Sequence, residues 1–327
     1  MALDSAHRAA ALALAAHRDA ERCAVRPHSL ITLDDIDARA LANVVDRGLE
    51  MKRRPGLHAA ALTGCAIALL FQKTSTRTRC SFAAAARETG AQADYLDWSR
   101  SNFVLAELRD EIAVMSRYYD LIVARVDRHE SLRVMAAHSE VPIVNGLCDL
   151  HHPCQAVSDV LTLKEYFGVD LRGLRLAYVG DGNNVCRSLV QAATRFGVEV
   201  TLSSPAGHEL DEVTACQGGA LVRRVADPRA AVEGVDVVYT DTWVSMGQEA
   251  ELEARRAALA GWQVNAGLMD AAPRHALFMH CLPAHRGEEV SGAVIDGRQS
   301  VVWEEAENRL HTQKALMEFL LLGKVKS

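Results

Sequence analysis

The chain has 327 residues, of which 49% are hydrophobic, so it is long enough to form two domains with large apolar cores. Its formal net charge of −6 at pH 7 argues against nucleic acid as the main partner, because proteins that bind a phosphate backbone usually present a basic domain. No apolar run reaches about 18 residues, so we expect no membrane-spanning helix and no membrane partner.

The N-terminal segment and the cysteines indicate the compartment. Up to Val25 the chain alternates apolar and charged side chains, which is not the pattern of a secretory signal. Eight cysteines are scattered along the chain without C-x-x-C pairs, a distribution that indicates reduced thiols rather than a disulfide framework. We therefore expect a cytoplasmic enzyme.

The first strong motif is the stretch at residues 71–79, FQKTSTRTR. It follows an apolar run of strand length, Ala66–Phe71, and precedes a helical pattern that ends near Gly90. Its hydroxyls therefore lie at a helix N-terminus, where free backbone N–H groups and the helix dipole favour an anion. Arg77 and Arg79 add charge-assisted hydrogen bonds. We interpret the stretch as a phosphate clamp; the alternative is a helix cap beside solvated arginines.

Strand and helix patterns alternate along the remaining chain. Residues 121–125 and 141–145 have strand patterns, and the segment between them, 131–138, has a helical pattern. In the second half, a strand pattern at 174–180 leads into a helix at 185–196. Alternation of this kind predicts an α/β fold with two doubly wound domains built on parallel sheets. The boundary falls near residues 152 and 153, where a proline opens a helix.

The turn at residues 180–185, GDGNNV, resembles a dinucleotide-binding turn, but Val185 replaces the third glycine and no acidic residue ends the next strand. Both features argue against NAD. The turn still follows a predicted parallel strand, where open α/β sheets place ligands, so Asn184 is a candidate for contacting a polar substrate group.

Three further clusters follow predicted strands or begin helices. HHPCQ at 151–155 places an imidazole and an amide near a helix start, where they suit an oxyanion. DTWVSMG at 241–247 suits a substrate loop, and FMHCLPAHR at 278–286 leaves Cys281 at a strand end. A capped helix, a surface histidine and a buried thiol are the plain structural alternatives.

A metal site is the least favoured interpretation of these clusters. Its candidate ligands are His152, Cys154, His280 and Cys281. Their spacings match no zinc template, so we expect no metal. We also expect no organic cofactor.

Together the motifs resemble those of ornithine carbamoyltransferases in order and spacing. The matching stretches are residues 71–79, 152–155, 241–247, 280–283 and 307–309. The resemblance covers about residues 30–321. It implies a carbamoyl phosphate domain over residues 1–150 and an ornithine domain over 151–305, with a C-terminal helix, 306–327, returning to the first domain. It also implies a homotrimer, or a multiple of trimers, with active sites at subunit interfaces.

The resemblance also implies roles for individual residues. Carbamoyl phosphate would be held by Ser75, Thr76, Arg77, Thr78, Arg125, His152, Gln155, Cys281, Leu282 and Arg309. Ornithine would be held by Asn184, Asp241, Ser245 and Met246. The residues expected to act in catalysis are Arg125, His152, Asp241 and Cys281. Arg125, His152 and Thr78 would stabilise charge on the carbonyl oxygen. Asp241 and Cys281 would orient the attacking amine, and we do not expect Cys281 to be a nucleophile.

Two positions depart from the family pattern. Residues 97–108, DWSRSNFVLAEL, stand where the family has a Gly-rich loop whose Gln or His reaches the neighbouring subunit's site. Arg187 stands where histidine is usual. Either change alters substrate choice, or Asn102 and Arg100 take over the loop's function; neutral drift in a variable loop is the alternative.

We therefore expect the formation of citrulline and phosphate from carbamoyl phosphate and ornithine. A carbamoyltransferase for another amine, such as putrescine or lysine, is the nearest alternative, although the loop at 245–247 favours an α-amino acid. A second alternative is a catalytically silent relative that uses the fold only for binding. The concentration of cations at Arg77, Arg79, Arg125 and Arg309 argues against it.

Overall fold

The computed structural model describes residues 29–56, 58–244 and 251–323, which form two parallel β-sheets with flanking helices. The first sheet contains β1 (Ala66–Phe71), β2 (Gln92–Asp97), β3 (Leu121–Arg125) and β4 (Ile143–Leu147), in the order β2-β1-β3-β4. The second contains β5 (Arg175–Val179), β6 (Glu199–Ser203), β7 (Val222–Arg224), β8 (Val237–Tyr239) and β9 (Leu277–Met279), in the order β7-β6-β5-β8-β9. The predicted fold class is confirmed.

The helices of the first half are α1 (Ala38–Arg53), α2 (Thr76–Glu88), α3 (Leu108–Met115), α4 (His129–His138) and α5 (Pro153–Phe167). Those of the second half are α6 (Asn184–Arg195), α7 (Glu212–Gln217), α8 (Pro228–Val232), α9 (Leu252–Leu259), α10 (Ala266–Met269), α11 (Gly292–Ile295) and α12 (Val302–Leu322). Among the described residues, no helix has both the length and the apolar character needed to cross a bilayer.

The central strand of each sheet is buried on both faces, which explains its uninterrupted apolar sequence. Along β1, Ile67, Leu69 and Phe71 join one core cluster, while Ala68 and Leu70 join another on the opposite face. The residues of β5 divide in the same way between two clusters. One cluster contains residues from both sheets, so the two layers share a continuous apolar core.

Most predicted element boundaries match the structure within two residues. The strand at 121–125 and the proline-opened helix α5 are confirmed, and α5 is capped at its C-terminus by Gly168, whose φ of 95° favours glycine. Strand β4 starts two residues later than predicted, at Ile143. The reason is that Pro142 has no N–H to donate to a sheet ladder.

The last helix, α12, buries polar as well as apolar side chains. It begins at Val302 and packs against α1, α2 and α5, so it does return to the first half of the chain. Polar residues such as Asn308, Gln313 and Glu318 are nevertheless buried on it. The helix is therefore a central element held by polar contacts as well as apolar ones.

Two parts of the earlier interpretation lie outside the described residues. They are the N-terminal segment up to Val25 and the loop positions Ser245 and Met246. The seven cysteines within the described ranges are free thiols.

Candidate active site

A cavity of about 1140 Å³ lies at the carboxyl ends of both sheets. Its walls come from the segments that follow β1, β3, β4, β5, β6, β8 and β9. Parallel strands bring such segments to one edge of a sheet, where ligands of open α/β folds bind. Eleven of the predicted site residues line this cavity: Ser75, Thr76, Arg77, Thr78, Arg125, His152, Asn184, Asp241, Cys281, Leu282 and Arg309.

The phosphate clamp predicted at residues 71–79 forms the first turn of α2. Ser75 is its N-cap, and its hydroxyl accepts the backbone N–H of Thr78 at 3.4 Å. The cap engages the N–H of Thr78, and Thr76, Arg77 and Thr78 all line the cavity. Arg79 does not line the cavity; its guanidinium lies 3.8 Å above the ring of Tyr95. The expectation that Arg79 contributes to the clamp is thus wrong for this chain's own cavity.

Three guanidinium groups converge on this side of the cavity. Burial, followed by the charges of Arg309 and Arg77, lowers the pKa of Arg125 to about 10. Burial also lowers the pKa of Arg77 and of Arg309. Cations that repel one another in a partly dry site are stabilised by an anion, so this arrangement favours a dianionic ligand.

His152 lies among these cations and is uncharged. Its side chain is buried, and burial together with Arg309, Arg125 and Arg77 holds its pKa well below the usual range. Its Nδ1 has no hydrogen-bond partner among the described residues. A neutral imidazole that faces a cavity in this way can donate a hydrogen bond to a developing oxyanion without adding charge.

Gln155 does not line the cavity, although we expected it to contact the carbamoyl end. Its Oε1 instead accepts a hydrogen bond from Arg309 Nη1 at 2.7 Å, and Arg309 Nη2 donates to Thr78 Oγ1 at 3.1 Å. Gln155 therefore fixes Arg309, which in turn fixes a hydroxyl of the clamp.

Behind Gln155 lies a pair of buried carboxyl groups that the sequence analysis missed. Gln155 Nε2 donates to Asp159 Oδ1 at 2.9 Å and to Glu305 Oε1 at 3.1 Å. The Tyr239 hydroxyl lies 3.4 and 3.2 Å from the same two carboxyl groups. Burial raises the pKa of Asp159 to about 7, and burial and the neighbouring Asp159 raise that of Glu305 well above its usual range. The spacing of four residues between Gln155 and Asp159 was a readable signal on a helix.

The opposite wall of the cavity centres on Asp241, which follows β8. Its Oδ2 accepts a hydrogen bond from Asn183 Nδ2 at 2.7 Å, and its Oδ1 accepts one from the Cys281 thiol at 3.0 Å. Burial and Asp241 raise the pKa of Cys281 well above its usual range, so the sulfur stays protonated. This agrees with the expectation that Cys281 is not a nucleophile.

Two adjacent asparagines begin α6 and have different functions. Asn183 caps the helix through Oδ1 and orients Asp241 through Nδ2. Asn184 lines the cavity and donates to the carbonyl of Cys148 at 2.7 Å. The neighbouring Gly182 has no room for a side chain, because a Cβ there would lie 2.1 Å from the backbone nitrogen of Leu210. Asn183 was missed although it stands beside Asn184 in the same motif.

One group of potential metal ligands occurs in the described part of the chain: Asp241, His280 and Cys281, with ligand atoms within 4.8 Å of one another. The proposed ligands His152 and Cys154 are not part of it. His280 Nδ1 accepts the backbone N–H of Leu282 at 2.8 Å, and its Nε2 faces Glu289 at 3.3 Å. Both ring nitrogens are therefore engaged within the protein.

The two departures from the family pattern lie away from this chain's own cavity. Residues 98–104 form two short 3₁₀ turns, held where Phe103 packs on Trp98 at 4.8 Å between ring centroids. The side chain of Arg100 is 87% exposed and Leu105 is 84% exposed. Arg187 pairs with Asp211 at 3.0 Å and does not line the cavity.

The fold and the cavity define a two-domain α/β protein in which a cationic cradle on one sheet faces a buried carboxylate on the other. The chain belongs to the aspartate/ornithine carbamoyltransferase family. The family's carbamoyl-P binding domain matches residues 28–165, and its Asp/Orn binding domain matches residues 172–320.

Similar proteins with a more specific name cover nearly the whole chain. An ornithine carbamoyltransferase of Nitrosococcus oceani is 45% identical over 91% of this chain and 98% of its own length. One from Symbiobacterium thermophilum is 46% identical over 91% and 99%. The solved structure of the enzyme from Pyrococcus furiosus has a TM-score of 0.85 and 42% identity, and covers 92% of this chain and 98% of that one.

The buried carboxyl pair predicts how stability depends on pH. The pKa of Asp159 in the folded protein is raised to about 7. The protonated side chain therefore contributes its full share of the unfolding free energy below pH 4, and this contribution is lost as the pH rises to about 7. Asp159→Asn replaces the protonated acid with a neutral amide. Between pH 4 and 7 the wild type should therefore lose on the order of a few kcal/mol of unfolding free energy relative to the variant.

Urea unfolding of both proteins at several pH values measures this difference. The exposed Asp270→Asn is the matched control and should follow the wild type. If the unfolding free energies of the wild type and Asp159→Asn changed in parallel with pH, the two groups would be ionised as ordinary carboxylates.

Proposed function

We propose that the chain is an ornithine carbamoyltransferase, which transfers the carbamoyl group of carbamoyl phosphate to the δ-amine of ornithine and releases citrulline and phosphate. The observation that carries this proposal is the arrangement of Arg77, Arg125 and Arg309 across one cavity from Asp241. A dianion and an amine can thereby meet in a single site. The names of the similar proteins support the same reaction.

The cationic side of the cavity would hold carbamoyl phosphate. The N–H groups at the start of α2 and the hydroxyls of Ser75, Thr76 and Thr78 would donate hydrogen bonds to the phosphate oxygens, and Arg77 would add a forked pair of donors. Arg125 and neutral His152 lie beside them and would donate to the carbonyl oxygen as negative charge develops there. We place Gln155 behind this shell, as the residue that orients Arg309.

The opposite wall would hold ornithine. Asp241 attracts the amino acid's ammonium groups, and Asn184 offers an amide to a polar group. Ser245 and Met246 keep their proposed part in this contact. The attacking amine must be neutral, and since Cys281 is a protonated thiol, the departing phosphate is the strongest base near the reaction centre. We therefore assign Asp241 and Cys281 to orientation and the final proton to phosphate.

This reaction needs only small-molecule substrates and no cofactor. We propose a cytoplasmic homotrimer, or a multiple of trimers, in which a carbamoyl phosphate domain of residues 1–150 is followed by an ornithine domain of residues 151–305. The helix at 306–327 belongs with the first domain. Arg187 does not line the cavity, so this departure from the family pattern gives no reason to prefer another amine.

An amine panel tests the reaction. Purified protein receives carbamoyl phosphate with ornithine, lysine, putrescine or aspartate, and the ureido product is quantified. Ornithine should give the highest kcat/KM, because Asp241 and the α-amino-acid loop both favour a diamino acid. A higher value for putrescine or lysine would replace ornithine as the substrate, and no product from any amine would support a silent relative.

Arg77→Ala should abolish turnover while leaving the fold intact. The substitution deletes a forked donor to a dianion in a half-buried site, which should cost several kcal/mol of transition-state stabilisation, roughly a thousandfold or more in kcat/KM. Steady-state kinetics and circular dichroism measure the two effects. Arg87→Ala removes an exposed arginine from the same helix and should retain wild-type kinetics. Wild-type turnover in folded Arg77→Ala would refute the clamp.

The exposed loop at residues 97–108 predicts shared active sites. Its Arg100 and Asn102 do not line their own chain's cavity, so we propose that they reach a neighbouring subunit's carbamoyl phosphate. Arg77→Ala and the double variant Arg100→Ala/Asn102→Ala should each be inactive. After equal mixing and subunit exchange, about a quarter of the sites would combine an intact clamp with an intact loop.

Activity measured before and after exchange checks this prediction. Mass spectrometry must show hybrid trimers in the same sample. Hybrids that stay as inactive as both parents would show that the loop serves its own subunit, and an active double variant would show that it serves no site.

A further inference from the structure

The segment from His280 to His285 forms the part of the cavity wall that continues from β9. Cys281, Leu282 and Pro283 line the cavity, and Cys281 donates to Asp241. This segment has no regular secondary structure, so its geometry depends on contacts at its two ends.

Both ends of the segment bind one buried carboxylate, that of Glu289. Glu289 is fully buried, and its Oε1 accepts the backbone N–H of His285 at 2.5 Å. The same oxygen lies 3.3 Å from Nε2 of His280, which is also fully buried. A single acceptor therefore joins residues 280 and 285 and closes the segment into a loop.

The hydrogen bonds of His280 define its protonation. Its Nδ1 accepts the backbone N–H of Leu282 at 2.8 Å, so this nitrogen carries a lone pair and no proton. The ring proton is therefore on Nε2, where it faces Glu289. His280 is neutral in this arrangement, and the carboxylate selects the tautomer that lets Leu282 donate to the ring.

Glu289 is also connected, through His285, to the segment after β8. His285 Nδ1 lies 3.1 Å from the hydroxyl of Thr242, which directly follows Asp241. Glu289 Oε2 lies 3.6 Å from the same His285 nitrogen. Through His280 and His285, Glu289 thus contacts both strand ends that carry the groups facing the amine.

We propose that Glu289 is a positioning residue for carbamoyl transfer. It holds His280 in the Nε2–H tautomer and fixes the 280–285 segment, so that Cys281 keeps its hydrogen bond to Asp241 and Leu282 keeps its place in the cavity wall. This inference rests on the proposed function. It assigns Glu289 to the amine side of the site, while the phosphate side depends on residues of the other sheet and of α12.

Three substitutions at Glu289 separate positioning from general stability. Glu289→Gln keeps an oxygen that can accept both hydrogens, so kcat/KM for ornithine should stay within about fivefold of the wild type. Glu289→Met removes the acceptor and should lower this value 10- to 100-fold, because small displacements near reacting groups are costly. Glu289→Asp keeps the charge but shortens the side chain, and should show the same loss as Met.

The phosphate side provides a selective readout. The dissociation constant of inorganic phosphate, measured by calorimetry, should change by less than about twofold in all three variants. The alkylation rate of Cys281 by iodoacetamide, followed by peptide mass spectrometry, should rise in Glu289→Met and Glu289→Asp. The alkylation and phosphate measurements do not depend on the amine, so they test the positioning role even if ornithine is not the substrate.

Glu318→Met is the matched control, since it removes another buried carboxylate that pairs with Arg47 at 2.7 Å and does not line the cavity. It should lower stability while leaving kcat/KM and Cys281 reactivity unchanged. The proposal is overturned by wild-type kinetics in folded Glu289→Met or Glu289→Asp, by an equal loss of phosphate affinity, or by the same kinetic loss in the control. If the Met variant does not fold, the Asp variant decides.

Discussion

Mutual repulsion among three guanidinium groups is the constraint around which the site is arranged. Arg77, Arg125 and Arg309 converge on one cavity, and burial lowers the pKa of each. Cations in such a position need acceptors that hold them without neutralising the cavity. Gln155 provides one for Arg309, and Gln155 in turn donates to the carboxyl pair behind it. Arg309 is thereby held in place by contacts within the protein, as the proposed anion site requires.

The same network connects the two halves of the molecule. Glu305 accepts the backbone N–H of His280 at 2.9 Å and also binds the Tyr239 hydroxyl, so a residue of α12 contacts the ends of β8 and β9. Arg309, one helical turn further along α12, contacts the phosphate clamp. A single helix, α12, thus contacts both the arginine-lined wall of the cavity and the strand ends next to Asp241. This accounts for the many polar side chains buried along α12.

The protonation states restrict the chemistry available at the site. His152 is neutral and Cys281 is a thiol, so neither side chain brings a formal charge into the cavity. Charged side chains of both signs line the cavity, among them the three arginines, Asp241, Lys73 and Glu209. The proposed reaction requires a site that stabilises developing charge and orients reactants, and Cys281, as a protonated thiol, is not suited to covalent catalysis.

The sequence alone determined the class of fold and identified eleven of the residues that line the cavity. The apolar run of β1, the proline at the start of α5 and the hydroxyl-rich start of α2 are local signals, because each depends on neighbours a few residues away. The side chains placed after predicted strands met at one edge, because parallel strands force them to do so.

Only the tertiary structure decided which polar residues hold the side chains at the carboxyl ends of the strands in place. Glu305 and Asp159 lie 146 positions apart, and Glu289 acts through the ring of His280, so their contacts have no local pattern. Arg79 shows the converse, since its motif resembled a clamp but the helical turn directs it onto Tyr95. Burial set the charges of His152 and Cys281, because desolvation depends on everything packed around a group and not on its neighbours in the chain.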